Sequence, residues 1–285
     1  MMALGLCLAG ISAAQSVTVQ PRTGNKGYLL EELSWNEAEQ LLKPDTVVVI
    51  PLGAESKEHG YHLKLGTDFI QAEYFKTEVL KKENVVVAPT VNYNYFPAFA
   101  EYPGTISLSL ETSRDMIVEI CRSLAQYGPH RFYVINMGVS TLAPLEQARN
   151  LLTPYGIILT YTGLGEHYVN TMPDKATAAS TQTKDPDDNK IIGTHAHEWE
   201  TSVLLAIAPE TVDMSKAVRD YHPSNLSGLR KLTRNPLTPG TYSPSGVYGD
   251  ATLATKAKGE DIVRAELKRI LADIDELKTL GTHME

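Results

Sequence analysis

The chain has 285 residues, of which 42% are hydrophobic and 21% are charged. This composition is that of an ordinary globular protein long enough to bury a full core, and one domain is the simplest interpretation. The formal net charge is -8 at pH 7, and acidic and basic residues are mixed along the chain. Because no basic block stands out, we exclude nucleic acid and anionic membrane surfaces as partners.

Residues 1–14 are small and apolar and end in Ser12-Ala13-Ala14, which predicts a cleaved secretory signal. No Lys or Arg precedes Arg22, so the positive start typical of such signals is missing. The segment is also shorter than the ~20 residues that span a bilayer. We expect a secreted or periplasmic protein with a single catalytic domain over residues 15–285 and no membrane contact in its mature form. The alternative is a cytoplasmic protein with an apolar first element.

Apolar runs and helical periodicities alternate along the rest of the chain. In chain order they predict a helix at 29–42, a strand at 46–51, a helix at 67–82, a strand at 85–89, helices and strands alternating at 113–127, 132–136, 142–153 and 157–161, and helices at 201–207 and 259–277. Residues 173–191 are predicted to form a surface loop or lid, and residues 220–250 an irregular segment. The alternation indicates an α/β fold with a mostly parallel sheet covered by helices on both faces. Cys121 falls on a predicted helix face, where we expect a buried thiol.

Two short segments concentrate residues that could do chemistry. Four of the eight histidines lie in Glu55-Ser-Lys-Glu-His-Gly-Tyr-His62 and Thr194-His-Ala-His-Glu-Trp-Glu200. The first follows a buried strand, where α/β sheets place their sites, and the second precedes a helix. Imidazole and carboxylate together suit zinc, manganese or iron. Taken singly, each histidine has the alternative of an ordinary surface or hydrogen-bonded role.

Taken together, several motifs in order resemble the creatininase (creatinine amidohydrolase) family, from about Leu29 to Leu277. The motifs are Ile50-Pro-Leu-Gly53, His59-Gly-Tyr-His-Leu63, Leu65-Gly-Thr-Asp68, Tyr102-Pro-Gly-Thr-Ile-Ser-Leu108, His195-Ala-His-Glu-Trp-Glu-Thr-Ser202, and Gly246-Val-Tyr-Gly-Asp250 with Gly259-Glu260. The resemblance implies a three-layer αβα sandwich, assembly as a homo-oligomer such as a hexamer, and two adjacent metals that activate water against an amide of a small-molecule substrate.

The resemblance also implies which residues bind metal. The ligand set of one metal is carried over as His59, Asp68 and Glu198. The other set requires a Glu two residues before the first motif His and the His of an Asn-Gly-His motif, but this chain has Lys57 and Gly138 there. We therefore predict one divalent metal per subunit, zinc before manganese or iron, with the Lys57 ammonium supplying part of the missing charge. The alternative has Lys57 in solvent and Glu55 or Glu58 in its place.

The remaining residues of the two segments receive supporting roles. By the resemblance, His195 is the candidate proton shuttle, and Lys57 and Glu198 complete the catalytic set. Glu58, His62 and His197 are further ligands or partners that orient the ligands. Glu200 is assigned to cap a helix beginning at Thr201 rather than to catalysis.

Aromatic residues near the motifs suggest a substrate pocket. Tyr95, Tyr102 and Trp199 are candidates for its walls, with core or interface packing as the alternative.

The predicted function is thus metal-dependent hydrolysis of a C–N bond in a small amide, lactam or cyclic amide. Two alternatives stay open. One is a non-catalytic binding or assembly protein that kept the fold, since two family ligands are missing. The other is a family hydrolase acting on a cyclic polyol ketone, because fold alone does not settle the reaction.

Overall fold

The computed structural model describes residues 19–163, 195–220 and 231–280. The predicted signal at 1–14 and the predicted loop at 173–191 therefore lie outside the described residues. The helices and strands are β1 (Tyr28–Leu29), α1 (Trp35–Leu41), β2 (Val47–Leu52), α2 (Thr67–Lys82), β3 (Val86–Val87), α3 (Leu110–Ala125), β4 (Arg131–Asn136), α4 (Leu142–Leu152), β5 (Ile158–Tyr161), α5 (Glu198–Ile207), β6 (Arg219–Asp220), β7 (Leu232–Thr233), β8 (Thr241–Tyr242), β9 (Gly249–Asp250) and α6 (Lys256–Thr279).

The centre of the fold is a five-stranded sheet in the order β1-β3-β2-β4-β5. All neighbouring strands in it are parallel. The two longest strands, β2 and β4, lie side by side and end together, with Leu52 opposite Asn136. The segments that leave their carboxyl ends therefore meet at one edge of the sheet, which is where α/β folds bind their ligands.

Alternate residues of the central strands pack into two separate hydrophobic cores, one on each face of the sheet. Val47 and Val49 of β2 pack with residues of α2, α5 and α6. Val48 and Ile50 pack on the opposite face with residues of α3 and α4, including the buried Cys121. Since both faces are covered by helices, β2 is buried along its whole length. The predicted three-layer αβα sandwich is confirmed.

The predicted elements agree with the structure except at a few boundaries. Helix α2 covers the predicted residues, whereas β3 is shorter than the strand predicted at 85–89. The helix predicted at 29–42 is wrong over its first half, because Ser34 and Glu37 form a capping box that starts α1 at Trp35. The segment predicted to be irregular contains short strands in its described part.

Close backbone approach fixes the start of α2 against the end of β2. Any side chain at Gly53 would collide with the carbonyl of Asp68 and with Ala72. Only glycine permits this contact. As a result, Asp68 in the first turn of α2 lies beside the segment that leaves β2. Within the described ranges, no helix has the length and apolar character needed to cross a membrane.

Candidate active site

The segment that leaves β2 carries ionisable side chains into the interior. Lys57, Glu58 and His59 are all at most 5% exposed. Backbone hydrogen bonds hold the segment in place: Lys57 N–H donates to the Leu65 carbonyl at 3.0 Å, and Glu58 N–H donates to Thr105 Oγ1 at 3.0 Å. Buried charges of this kind need partners, and the neighbouring elements provide them.

Asp68 is the central partner of this segment. Its Oδ1 accepts a hydrogen bond from His59 Nε2 at 2.8 Å, and its Oδ2 lies 2.7 Å from Lys57 Nζ. The lysine contact is an ion pair without hydrogen-bond alignment, so Oδ2 accepts no hydrogen bond from the described residues. Lys57 therefore points inward, toward Asp68. The alternative of a solvent-facing lysine is wrong, and Glu55 instead accepts a hydrogen bond from Asn92 at the surface.

Two phenylalanine rings enclose the ammonium. Lys57 Nζ lies 5.0 Å from the ring centre of Phe99 and 5.7 Å from that of Phe96. A cation over a ring face at this distance is attracted by the ring quadrupole. The ring of Phe99 also contacts His195, with 4.2 Å between the ring centres. The ring of Phe99 thus packs against both basic groups, Lys57 and His195.

The charged groups of this cluster shift one another's pKa values. Burial and the Lys57 charge oppose a proton on His59, but the Asp68 and Glu200 carboxylates outweigh them and raise its pKa to about 9. Burial opposes the Asp68 charge, but Lys57 and His59 outweigh it and hold the pKa of Asp68 below its usual range. Both ring nitrogens of His59 face acceptors, because Nδ1 donates to the Lys57 carbonyl at 2.9 Å. The two carboxylates therefore favour a positive charge at His59 Nε2, whether a proton or a bound cation carries it.

The start of α5 brings a second carboxylate to His59. Ala196 adopts φ 49°, a left-handed conformation that side chains rarely take, and turns the chain just before the helix. Glu200 Oε2 accepts a hydrogen bond from the Ala196 N–H at 2.5 Å, while its Oε1 lies 3.6 Å from His59 Nε2. Burial opposes its charge, but His59, His195 and Lys57 lower the pKa of Glu200 well below the usual value.

His195 lies between the two segments. Its Nε2 lies 2.9 Å from the Glu58 carbonyl and 3.0 Å from Glu58 Oε2. Its Nδ1 lies 3.8 Å from Glu200 Oε2. Glu58 is fixed in turn, because its Oε1 accepts a hydrogen bond from the Gly60 N–H and a side chain at Gly246 would collide with it. The sequence prediction that His195 joins the site is consistent with this position.

The donor set fits one divalent ion. Ligand atoms of His59, His195 and Glu200 lie within 4.8 Å of one another, and Asp68 Oδ1 lies 2.8 Å from His59 Nε2. Imidazole nitrogens with carboxylate oxygens are the ligands that zinc and manganese accept. The unsatisfied Oδ2 of Asp68 is a further donor atom in the same cluster.

A second ion has no comparable ligands among the described residues. The Lys57 ammonium stands beside Asp68, where it replaces a carboxylate ligand of the family pattern with a positive charge. At the end of β4, Gly138 has no side chain, and Asn136 and Thr141 are hydrogen-bonded to each other and to the Gly138 backbone. Two ligand positions of the family's second metal are thus occupied by Lys57 and Gly138, neither of which offers a ligand atom.

The structure places the two glutamates at the start of α5 in different surroundings. The helix begins at Glu198, with His197 as its N-cap, three residues before the predicted start. Glu198 forms an ion pair with Lys258 of α6, whereas Glu200 faces His59. The side chains of residues two apart on a helix point in different directions, so only one of the two reaches the cluster. Glu200 therefore lies beside His59, while Glu198, predicted as a metal ligand, lies beside Lys258.

The other predicted site residues lie around the cluster rather than in it. His62 Nε2 hydrogen-bonds Thr201 Oγ1 at 2.8 Å, which ties the β2 segment to α5. Burial lowers the pKa of both His62 and His197. Tyr102 is buried against the phenylalanines and donates to the Ser243 carbonyl at 2.7 Å, so it is part of a small core. Tyr95 is half-buried in the same segment.

Trp199, predicted as a pocket wall, lines a small cavity with Phe75 and Glu200. It thus lies next to the cluster, on the side of α2 and α6.

Comparison with known proteins agrees with this architecture. The sequence model of the creatininase family, described as creatinine amidohydrolase, matches residues 31–274. A creatinine amidohydrolase of Pseudomonas putida is 25% identical over 267 residues, which cover 88% of this chain and 98% of that protein. A mycofactocin precursor peptide peptidase of Mycolicibacterium smegmatis is 28% identical over 249 residues, covering 85% and 89%. A solved structure described as "Creatininase Mn" superposes with a TM-score of 0.68 at 23% identity, covering 88% and 98%.

The chain combines a parallel αβα sandwich with a buried cluster of imidazoles and carboxylates at the carboxyl edge of its sheet. This combination is typical of metal-dependent hydrolases. With the family model matching most of its length, the chain belongs to the creatininase family of amidohydrolases.

Proposed function

We propose that this protein hydrolyses a C–N bond in a small amide, lactam or cyclic amide, with one divalent metal per subunit held by His59, Asp68 and Glu200. The observation that carries the proposal is the buried meeting of these side chains around His59 Nε2, with Asp68 at 2.8 Å and Glu200 at 3.6 Å. Zinc and manganese both suit the donors, and a similar structure is described as a manganese form of creatininase.

When bound by these residues, a divalent metal would supply an activated water and polarise the scissile carbonyl. The chain's own groups do the rest. Lys57 presents a fixed positive charge 2.7 Å from Asp68, where it stabilises negative charge developing on the carbonyl oxygen. His195, held by Glu58 at 3.0 Å, is placed to pass a proton to the leaving nitrogen. The phenylalanines around Lys57 exclude water from the cation and so keep its charge effective.

Secretion and oligomeric assembly stay predictions. Secretion depends on residues 1–14, which lie outside the described range. Oligomeric assembly depends on surface contacts between subunits.

The decisive experiment exploits the two glutamates at the start of α5. Elemental analysis of protein purified without a metal-affinity tag should find about one metal per chain. Glu200→Gln should lose the metal, while Glu198→Gln should keep it, since Glu198 is paired with Lys258. Amides and lactams are then assayed with the metal found. Retention of metal in Glu200→Gln with loss in Glu198→Gln would reverse our assignment. Absence of metal from the parent after reconstitution would contradict the proposal and favour a binding protein.

A further inference from the structure

A loop far along the chain packs against the pair formed by Glu58 and His195. This β8–β9 loop, residues 243–248, connects β8 to β9. Its Gly246 lies so close to the Glu58 carboxylate that any side chain at residue 246 would collide with it. Two residues further on, the Tyr248 N–H donates to the His195 carbonyl at 2.9 Å. One short loop therefore contacts both members of the pair.

The shape of the β8–β9 loop is fixed by Asp220. This residue belongs to β6, and its side chain is buried. Its Oδ2 accepts a hydrogen bond from the Ser245 N–H at 3.1 Å and a short one from the Ser245 hydroxyl. Ser243 Oγ bridges the same oxygen and the Val247 carbonyl, at 3.0 and 2.8 Å. Hydrogen bonds to a carboxylate are stronger than those between neutral groups, so Asp220 gathers the loop around one charged atom.

The contacts continue from this turn to the Glu58 carboxylate. Gly246 adopts φ 84°, a conformation that glycine takes without strain. The next residue, Val247, lies where it would collide with any side chain at Gly60. The Gly60 N–H in turn donates to Glu58 Oε1. The Glu58 carboxylate is thus held between the loop on one side and Gly60 on the other.

Glu58 determines how the ring of His195 is oriented. His195 Nε2 lies 2.9 Å from the Glu58 carbonyl and 3.0 Å from its Oε2. Because a carbonyl and a carboxylate can only accept, Nε2 carries the hydrogen. The opposite nitrogen, Nδ1, is then turned toward Glu200, with 3.8 Å between Nδ1 and Oε2. A shift of the Glu58 carboxylate would turn this nitrogen away from the cluster.

We propose that Asp220 is a positioning residue, which holds Glu58 through the β8–β9 loop and thereby orients the His195 ring for proton transfer. The effect on catalysis rests on the proposed function, whereas the coupling of Asp220 to Glu58 does not. The proposed metal ligands are not part of this path. Loss of Asp220 should therefore slow the reaction without loss of metal.

Amide hydrogen exchange of the full, metal-loaded chain, read by mass spectrometry with residue-level fragmentation, tests the coupling. Asp220→Ala should exchange about tenfold faster or more at Gly60, whose N–H is bound by Glu58, and at Tyr248, whose N–H is bound by His195. Each hydrogen bond to a charged group is worth at least this factor. Exchange in β4 should not change, whereas a general loss of stability would accelerate it as well. Asp220→Asn keeps an acceptor oxygen and should recover most of the protection.

The matched control is Asp250→Ala. Asp250 belongs to the same two-stranded sheet, is similarly buried and also accepts from a backbone N–H and a hydroxyl, both of Thr252. This variant should exchange faster at Thr252 and like the parent at Gly60. Ser245→Ala removes one of the bonds to Asp220 and should accelerate Gly60 to a smaller extent. It keeps the test open if Asp220→Ala fails to fold.

Hydrolysis of 2-pyrrolidinone, a small lactam, tests the consequence for catalysis. In Asp220→Ala, kcat should fall about tenfold or more, with KM within about twofold and the metal content of the parent. Asp220→Asn should recover most of the lost rate, and Asp250→Ala should keep all of it.

The outcomes separate this inference from the proposed function. A parent that does not hydrolyse the lactam counts against the proposed function, while faster exchange at Gly60 in Asp220→Ala still supports the coupling. Unchanged exchange at Gly60, or equal acceleration across β4, overturns the coupling. A kcat that stays at the parent level despite faster exchange at Gly60 overturns the role of Asp220 in catalysis.

Discussion

Two neighbouring segments at the same edge of the sheet have opposite characters. The β2 loop, residues 54–66, carries Lys57, Glu58 and His59 into the interior, and their charges are balanced by side chains from other elements. The β4 loop, residues 137–141, follows the adjacent strand. The side chains of Asn136, at the end of β4, and of Thr141 are also buried and polar, but they bond mainly to each other and to the loop backbone, with one further bond from Asn136 Nδ2 to the Thr162 carbonyl.

This difference supports the proposal of a single metal position in an intact fold. In the β4 loop, Thr141 Oγ1 hydrogen-bonds Asn136 Oδ1 at 2.5 Å, and Asn136 Nδ2 donates to the Gly138 carbonyl at 2.9 Å. A loop that satisfies its own polar atoms keeps its shape but offers nothing to a ligand. The β2 loop leaves Asp68 Oδ2 unsatisfied. Its ionisable side chains find their charged partners outside the loop, in Asp68, Glu200 and His195, which is the property of a binding site.

The largest effect is expected when the charge at the centre of the β2 loop is removed. Asp68→Asn leaves Lys57 and His59 buried without their main counter-charge. Removing one partner of a buried ion pair costs about 3–5 kcal/mol of unfolding free energy. Urea unfolding and elemental analysis should show this loss together with loss of the metal. Full metal content in Asp68→Asn would show that Asp68 is not a ligand.

The comparison predicts that the second metal position can be rebuilt. Lys57→Glu combined with Gly138→His replaces a cation with a carboxylate and adds an imidazole to the β4 loop. Metal content should rise from about one to about two per chain. The side chain at residue 138 has to displace Thr141 Oγ1, which lies 3.1 Å from the position of its Cβ. Lys57→Glu alone is the control and should stay near one; a double variant that also stays near one would refute the account.

The histidine that ties the β2 loop to α5 predicts a dependence on pH. Burial is the main reason that the pKa of His62 falls to about 4 from its ordinary 6.5. Since the unfolded chain takes up this proton first, the stability that neutral His62 contributes is present above pH 6.5 and is lost as the pH falls toward 4.

Between pH 7 and 4.5 the parent should lose roughly 2–3 kcal/mol more than His62→Gln in urea unfolding. His130→Gln, at an exposed position, is the control and should follow the parent. Parallel pH curves for the parent and His62→Gln would mean that His62 is solvated in the folded protein.

The smallest effect is expected in the β4 loop. Thr141→Val removes the hydroxyl that bonds Asn136 and the Gly138 carbonyl. Breaking such a buried bond costs about 1–3 kcal/mol of stability. The metal content and the rate of amide hydrolysis should not change, because this loop offers no ligand. A metal content that falls with Thr141→Val would place the β4 loop in the site.

Much of this architecture could be predicted from the sequence, and the reasons are local. The apolar run of β2 and the helical pattern of α2 specify their own structure, and the order of strands and helices specifies the sandwich. Lys57 was recognised as a departure from the family pattern, and its inward position next to Asp68 agrees with that interpretation.

The sequence could not predict which of the two glutamates, Glu198 or Glu200, faces His59. It depends on the left-handed turn at Ala196, which no residue preference signals, and on Lys258, which is 60 residues away. The capping box at Ser34 was visible in the sequence, but the leucines before it gave a stronger periodic signal for a longer helix. The small cavity lined by Trp199 could not be predicted, because it forms only where three helices and the end of a strand meet.

The contact between His195 and Glu58 joins residues separated by 137 positions in the chain. During synthesis the β2 loop is therefore made long before the residues that complete it. Until α5 has been made and packed, Lys57 and His59 have Asp68 but lack Glu200 and His195 as neighbours. Closing a loop of this length carries an entropic cost that the finished core offsets. A newly made chain thus cannot assemble the proposed metal site before α5 has been made and packed, so metal uptake would report that this part of the fold is in place.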